Sequence, residues 1–448
     1  MARRLVVIGG DAGGMAAASQ ARRRDPDLDI VALERGRWTS YSACGIPYLL
    51  SGAVGHLDDL VARTPQQLRD QLRIDVRMGH EAMGIDLDTR RVEVRDHNHD
   101  RTITIPFDEV MIGTGARPRR PDIPGIGSER VHGVQTLDDA ALLLDHAAAS
   151  RCRDVVVVGG GYIGLELAEA FVERGARVTL VEAAAQVMGT LDPDIAPLVV
   201  DALRRFGVDV RLGTAVTAFG DGTVDTDSGP LPADLVVLGL GVVPNSELAG
   251  DAGAELGSDG AIRVDCRQHT TLDGVWAAGD CCESFHRVSR RWVHIPLGTV
   301  ANRQARVAGI NIGGGYATFP GVVGTAVTRI CSTEVGRTGL SESEAQSVGL
   351  DYVAVTIEST NKAGYFPGAS PITVKMVAER GTGRVLGAQI VGREGAAKRI
   401  DVVATAITAG MTVAEVIDLD LAYAPPFSPV WDPVVTAARQ AARELTRA

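Results

Sequence analysis

The chain has 448 residues, 45% hydrophobic and 23% charged, with a net charge of −11. That length is several times a usual domain of about 100–200 residues, so more than one core is expected. The acidic balance, with no basic tract, speaks against nucleic acid or an anionic membrane as partner, because both engage clustered Lys and Arg.

The chain opens on an apolar run, Leu5–Ile8, too short for a secretion signal, and no later stretch approaches the roughly 20 apolar residues that span a bilayer. A cytoplasmic protein is therefore expected. Its six cysteines (44, 152, 266, 281, 282 and 331) show neither CxxC nor metal-like spacing, so they are read as thiols and no metal site is expected.

In chain order, Arg4–Ile8 reads as a strand, the glycines that follow as a turn, Met15–Arg24 as an alanine-rich helix and Ile30–Glu34 as a second strand. Asp108–Ile112 is a further buried strand closing on the turn Gly113–Pro118. The opening unit then recurs: strand Asp154–Val158, glycine turn Gly159–Gly164, helix Leu165–Arg174 and strand Arg177–Glu182. Leu235–Gly241 and Val275–Ala278 read as two more strands, the second leading into Gly279-Asp280. From about Gly321 the glycine motifs stop, and alternating runs at Ile372–Val377 and Val385–Val391 precede helices at Lys398–Ala409 and Asp432–Leu445. The expectation is an α/β protein with two Rossmann-like dinucleotide-binding domains and a C-terminal α+β domain.

The second glycine turn is the stronger signal. Gly159, Gly161 and Gly164 form GxGxxG between a strand and a helix, which lets backbone approach a pyrophosphate, and Glu182 ends the next strand where an acid can bind a ribose diol. Glu182 would repel a 2′-phosphate, and Ala183-Ala184-Ala185 offers no cation to receive one, so NADH is expected ahead of NADPH. The first turn, Gly9-Gly10-Asp11-Ala12-Gly13-Gly14, carries Asp11 where the fingerprint has its middle glycine. An acid there suits a pyrophosphate only if its side chain turns away, but Glu34 ends the next strand as Glu182 does. Two dinucleotide sites in one chain point to an electron carrier beside a hydride donor, of which FAD with NAD(P)H is the simplest pair.

Cys44 lies in Ser40-Tyr41-Ser42-Ala43-Cys44-Gly45-Ile46-Pro47, and the residues after it can begin a helix. A thiol at a helix N-terminus has a lowered pKa and is nucleophilic. A small loop residue is the other reading, and local chemistry does not separate the two. No other cysteine precedes Cys152, so redox cycling at Cys44 needs sulfur from a substrate, a sulfenic acid or the flavin. All nine histidines lie at or before His294, which leaves Tyr365 and Tyr423 as proton donors of the C-terminal domain. The adjacent Cys281-Cys282 is read as a pair of structural thiols.

Together SYSACGIPY, GTGARP, GGGYIGLE, GVVPN, AAGD and AYAPPFSP resemble the single-cysteine branch of the pyridine nucleotide-disulfide oxidoreductases, which spans coenzyme A disulfide reductases, NAD(P)H sulfur and persulfide reductases and NADH oxidases. The resemblance implies an FAD domain split as residues 1–118 and 245–320, an inserted NAD(P)H domain at 119–244 and a dimerisation domain at 321–448. It implies FAD contacts from Gly9, Asp11, Ala12, Gly13, Gly14, Glu34, Arg35, Ser42, Ala82, Thr114, Gly115 and Asp280. For NAD(P)H it implies Gly159, Gly161, Tyr162, Ile163, Gly164, Glu166, Glu182 and Gly241.

In the same pattern Cys44 is the redox cysteine, and Tyr365 and Tyr423 reach it from the partner subunit of a homodimer. Gln20, Arg23 and Ser40 keep matches to coenzyme A contacts, while Asn302 and Leu72 stand where the best-known coenzyme A enzyme has a basic or imidazole contact. Ala43 replaces an asparagine of that enzyme and Phe427 a tyrosine. The first glycine loop also lacks the histidine of the oxidases and peroxidases. The expected activity is FAD-dependent NAD(P)H reduction of a low-molecular-weight disulfide, persulfide or polysulfide. An NADH oxidase working through a cysteine sulfenic acid, and a redox-sensing flavoprotein, are the alternatives.

Overall fold

A computed structural model describes residues 3–148 and 152–447. Its first sheet is parallel, in the order Val275–Ala277, Glu109–Ile112, Arg4–Ile8, Asp29–Glu34, Ile74–Met78. The inner strands are near-continuous Val, Ile and Leu because both faces of a parallel sheet are covered. A second parallel sheet repeats the plan: Val131–Gly133, Leu235–Leu238, Asp154–Val158, Arg177–Glu182, Asp209–Leu212. Each parallel sheet is accompanied by a three-stranded antiparallel one, at residues 80–106 and 216–232. The sequence repeat is thus a repeat of whole folding units.

Both glycine-turn helices start earlier than the sequence suggests, at Ala12 and Tyr162 instead of Met15 and Leu165. Small residues make this possible: the first helical turns hold Gly13, Gly14 and Gly164, which are buried where a side chain would keep the helix off its sheet. The turn expected over Gly113–Pro118 is shorter than read. Ala116–Pro118 is a strand, paired antiparallel with Val242–Pro244. The pairing was invisible in sequence because its two halves are over a hundred residues apart.

The C-terminal sheet is antiparallel, in the order Ala326–Ile330, Thr333–Gly339, Val385–Gly392, Pro371–Glu379, Tyr352–Thr360. Helices Ala396–Ala409 and Pro433–Thr446 bury Ile400, Val403, Val434 and Ala438 against it. The last helix is started by Asp432, whose Oδ1 accepts the Val434 N–H at 2.9 Å. An apolar cluster joins the regions: Ile46 and Leu50, next to Cys44, share it with Leu165 and Val187 of the second unit and with Ile330, Val335 and Val391 of the C-terminal sheet.

Candidate active site between two glycine turns

The two turns are built alike. A Cβ added at Gly9 or Gly14 would collide with Gly113 O or Gly9 O, and one at Gly159 or Gly164 with Gly239 O or Gly159 O. Backbone therefore meets backbone where only glycine fits, and Gly9 and Gly159 take φ values of +108° and +106°. The Glu34 carboxylate accepts the N–H of Gly10 at 2.9 Å and of Gly36 at 2.7 Å. Glu182 does the same for Gly160 at 2.7 Å and Ala184 at 2.8 Å. Each acid thus sits at the mouth of its turn, locked by two backbone donors.

The turns differ at the middle position. An added Cβ at Gly161 would come no closer than 3.8 Å to Gly239 O, so this glycine is not demanded by packing and leaves room for a ligand. In the first turn Asp11 turns aside, its Oδ1 accepting the Tyr41 N–H at 3.1 Å. Burial raises its pKa from 3.8 to about 6, against the Tyr41 and Ala12 amides and with help from Glu34 and Asp280. The Tyr41 N–H lies in the segment that carries Cys44, so the acid tethers that segment to the turn.

Cys44 sits in the short 3-10 turn Ala43–Gly45, which runs into the six-residue helix Ile46–Ser51. It is exposed, whereas Cys281 and Cys282 are buried, as a structural role requires. The charges that bear on its thiol are those of Glu166 from the second unit's helix, Asp280 and Asp11. The lowered pKa expected at a helix N-terminus is not found. Desolvation pushes the thiol upward and the three carboxylates add to the shift, while its own backbone N–H opposes them only weakly. The helix is too short, and its surroundings too acidic, to reverse that.

Glu166 is itself half-enclosed. Burial raises its carboxyl, opposed by the Thr328 hydroxyl that donates to Oε1 at 2.6 Å from the C-terminal sheet. Burial likewise raises Asp280, with His294 opposing, and the Asp280 carbonyl lies 2.7 Å from His294 Nε2. Thr114 and Asn245 exchange hydrogen bonds at 2.6 and 2.9 Å beside Gly115, which takes φ +66°. The remaining candidates lie around these turns. Arg35 faces Glu81 at 3.8 Å, Ser42 donates its N–H to Leu60 O, and Ala82 lies on strand His80–Asp86. Tyr162 and Ile163 open the second helix, and Gly241 accepts the Arg119 N–H just before the crossing strands.

Gln20 and Arg23 lie on the first helix, which packs against Gly298–Ile312, the helix bearing Asn302. Ser40 takes φ +50° and donates its N–H to Gly10 O at 2.9 Å. Tyr365 and Tyr423 stand on the C-terminal domain, 78% and 47% exposed. The neighbouring Tyr365 phenol holds that of Tyr423 above its ordinary range. Exposed Phe427, Val430 and Trp431 follow Tyr423 along the chain. Sequence reasoning missed Arg399, whose guanidinium donates to Asn361 O and Phe427 O at 2.9 and 2.6 Å and pairs with Asp432 at 3.0 Å. Arg399 stitches the two tyrosine loops together. A single arginine in an apolar helix gave no signal of this.

These features define a two-site flavoprotein reductase. The family model for pyridine nucleotide-disulphide oxidoreductases matches residues 3–305, and the model for their dimerisation domain matches residues 325–434. The chain belongs to this family, and it is an oxidoreductase that uses FAD and a pyridine nucleotide. It is 38% identical over 440 residues to the NAD(P)H sulfur oxidoreductase (CoA-dependent) of Pyrococcus abyssi, covering 97% of each chain. An NADH oxidase of Methanocaldococcus jannaschii is 34% identical, with 99% of each chain covered. A solved NAD-dependent persulfide reductase from A. fulgidus superposes with a TM-score of 0.96 at 39% identity, over 99% of this chain and 84% of that one. Among the described residues no helix is long and apolar enough to cross a membrane.

Proposed function

We propose that the protein reduces a low-molecular-weight disulfide, persulfide or polysulfide at Cys44, with coenzyme A derivatives as the leading carriers and NADH as reductant. The carrying observation is one exposed thiol on the segment that Asp11 of the first glycine turn bonds through the Tyr41 N–H, beside Ile46 and Leu50, which pack in one cluster with Leu165 of the second unit. The cradles suit their cofactors: backbone approaches closely at both turns, and an acid waits at the end of each following strand. In this reading the FAD residues are Gly9–Gly14, Glu34, Arg35, Ser42, Ala82, Thr114, Gly115 and Asp280. Those for NAD(P)H are Gly159, Gly161–Gly164, Glu166, Glu182 and Gly241. The FAD domain comprises residues 1–118 and 245–320, with 119–244 inserted and 321–448 forming the dimer.

When bound, FAD supplies the two-electron relay between the pyridine nucleotide and sulfur. The Cys44 thiolate attacks the substrate R–S–S–R, forms Cys44–S–S–R and releases R–SH after protonation. Two electrons and two protons then return the thiol and free a second R–SH, so NADH, one proton and one disulfide become NAD⁺ and two thiols. Glu166 shapes the nicotinamide side, held by Thr328. The partner subunit's Tyr423 and Tyr365 supply the protons, which fits two exposed phenols in a domain matched to dimerisation. Gln20, Arg23, Ser40 and Asn302 line the substrate's path.

Cys44→Ser tests this directly. The variant should keep FAD and pass electrons from NADH to an artificial acceptor, while turnover of coenzyme A disulfide or polysulfide falls at least 10³-fold, the order expected when a nucleophile is removed. Retained disulfide turnover would refute the mechanism. Oxygen uptake that matches NADH consumption and stops in Cys44→Ser would select the oxidase chemistry of the M. jannaschii relative instead.

A further inference from the structure

The loop Val187–Asp194 plays no part in the chemistry above, yet it is held at both ends. At one end the Met188 N–H donates to Gly160 O, inside the second glycine turn, at 2.8 Å. Met188 takes φ +47°, a left-handed conformation that a residue with this side chain adopts only when its surroundings enforce it. Val187, Met188 and Leu191 are buried in the cluster that includes Ile330, Val335 and Val391 of the C-terminal sheet.

The other end enters the C-terminal domain. The Asp192 N–H donates to Gln389 Oε1 at 2.8 Å, Gln389 Nε2 donates to Asp192 Oδ2 at 2.6 Å, and the Glu342 N–H donates to Asp192 Oδ1 at 3.0 Å. Lys375 Nζ lies 3.3 Å from Asp192 and 2.6 Å from Asp194, and pairs with Glu342. The Thr356 hydroxyl donates to Asp194 at 3.0 Å. Lys375 and Asp192 are only 3% and 1% exposed. The three carboxylates are close enough to hold a cation between them, and the Lys375 ammonium supplies that charge from within the chain. Asp194 and Glu342 stand 47% and 37% exposed, so it is the Lys375–Asp192 pair that is costly to break, because a lost partner there leaves a buried charge without compensation.

We propose that Val187–Asp194 is a strap through which the C-terminal sheet sets the position of the Gly159–Gly164 turn, with Lys375 as a positioning residue for the pyridine nucleotide. It rests on the assignment of that turn to NAD(P)H. The strap grips Gly160 O, so slack at the Lys375 end moves the backbone that receives the pyrophosphate, whereas the first turn is bonded to the Tyr41 N–H through Asp11 instead. Lys375 acts through the strap and touches no reacting atom.

The test uses the FAD-loaded enzyme with Lys375→Met, and with Thr356→Val as a milder variant that removes only the Asp194 bond. The concentration dependence of reduction by NADH gives the dissociation constant separately from the limiting rate, and amide exchange reads residues 159–164 and 186–192. In Lys375→Met the NADH dissociation constant should rise about tenfold, the limiting rate should stay within about twofold, and exchange at 186–192 should speed up even without NADH. Thr356→Val should move both readouts the same way by a smaller factor, and it decides the matter if Lys375→Met does not fold. Unchanged affinity and exchange in the folded variant would overturn the strap. If NADH fails to protect residues 159–164 in the unaltered enzyme, the turn's assignment itself fails. If it protects them equally in enzyme and variant, with one dissociation constant, only the strap falls.

Discussion

The two glycine turns share strand order, backbone collisions and a doubly bonded glutamate, and yet they are tied to different neighbours. The first is joined through Asp11 to the segment that bears Cys44. The second keeps Gly161 open and is joined through Gly160 to a strap ending in the C-terminal domain. One folding unit used twice thus gives two environments, because the loops beyond each turn decide what the turn is coupled to. The first coupling ties the turn to the segment that bears an exposed thiol, and the second ties the other turn to the domain matched to dimerisation.

The sharpest way to separate the turns is to fill each one. Gly14→Ala and Gly164→Ala both place a Cβ inside a carbonyl oxygen's contact distance, which costs roughly 3 kcal/mol or more of local strain. Gly14→Ala should abolish FAD retention, measured by absorbance of the purified protein. Gly164→Ala should keep FAD and lose NADH binding. If both variants lost both cofactors, the division of labour between the turns would be wrong.

Asp11 is the next test. Its carboxyl is raised from 3.8 to about 6, so the folded protein holds that proton more tightly than the unfolded chain. The stability this contributes is full below about 3.8 and is lost as pH rises through 6, so above 6 the buried charge is a burden. Asp11→Asn keeps an acceptor for the Tyr41 N–H and removes the charge. It should gain roughly 2–3 kcal/mol at pH 7.5 and almost nothing at pH 4, read from urea midpoints of the FAD-free protein. An equal gain at both pH values would show that the charge is not the cause.

A smaller effect is expected at Gly161, where an added methyl meets only ordinary contacts. Gly161→Ala should leave the melting temperature within about 1 °C, while NADH binding weakens about tenfold, near 1.4 kcal/mol, because the methyl occupies space meant for the ligand. The smallest shift concerns Cys44 in the FAD-free protein. With its thiol pushed above the ordinary range, iodoacetamide should react slowly at neutral pH and faster with each step of added base. In Asp11→Asn that profile should move toward lower pH, since one of the three carboxylates that raise the thiol is gone. A profile that stayed in place would remove Asp11 from the sulfur's surroundings.

Much of this was legible before any coordinates. The strands Arg4–Ile8 and Asp154–Val158, the glycine turns and the acids Glu34 and Glu182 announce themselves through residue types that only one local geometry accepts. Boundaries were less legible: glycines that read as turn proved to be the first turns of helices, and half of an expected turn became a strand paired across the chain. The candidate residues Cys44, Asp11, Glu166 and Asp280 could be named from sequence, but their environment could not. The expected lowering of the Cys44 thiol came from a local rule about helix starts, and the opposite shift comes first from burial, with carboxylates at positions 166, 280 and 11 adding to it.

Sequence by itself determined where backbone must meet backbone and where an acid must end a strand, since a missing Cβ and a β-branched run act within a few residues. Tertiary structure alone decided how Cys44 titrates, how Arg399 binds the loops of Tyr365 and Tyr423, and how Lys375 closes the strap on Asp192. Those outcomes depend on burial and charge summed over residues far apart in the chain, and such sums exist only once the chain has folded.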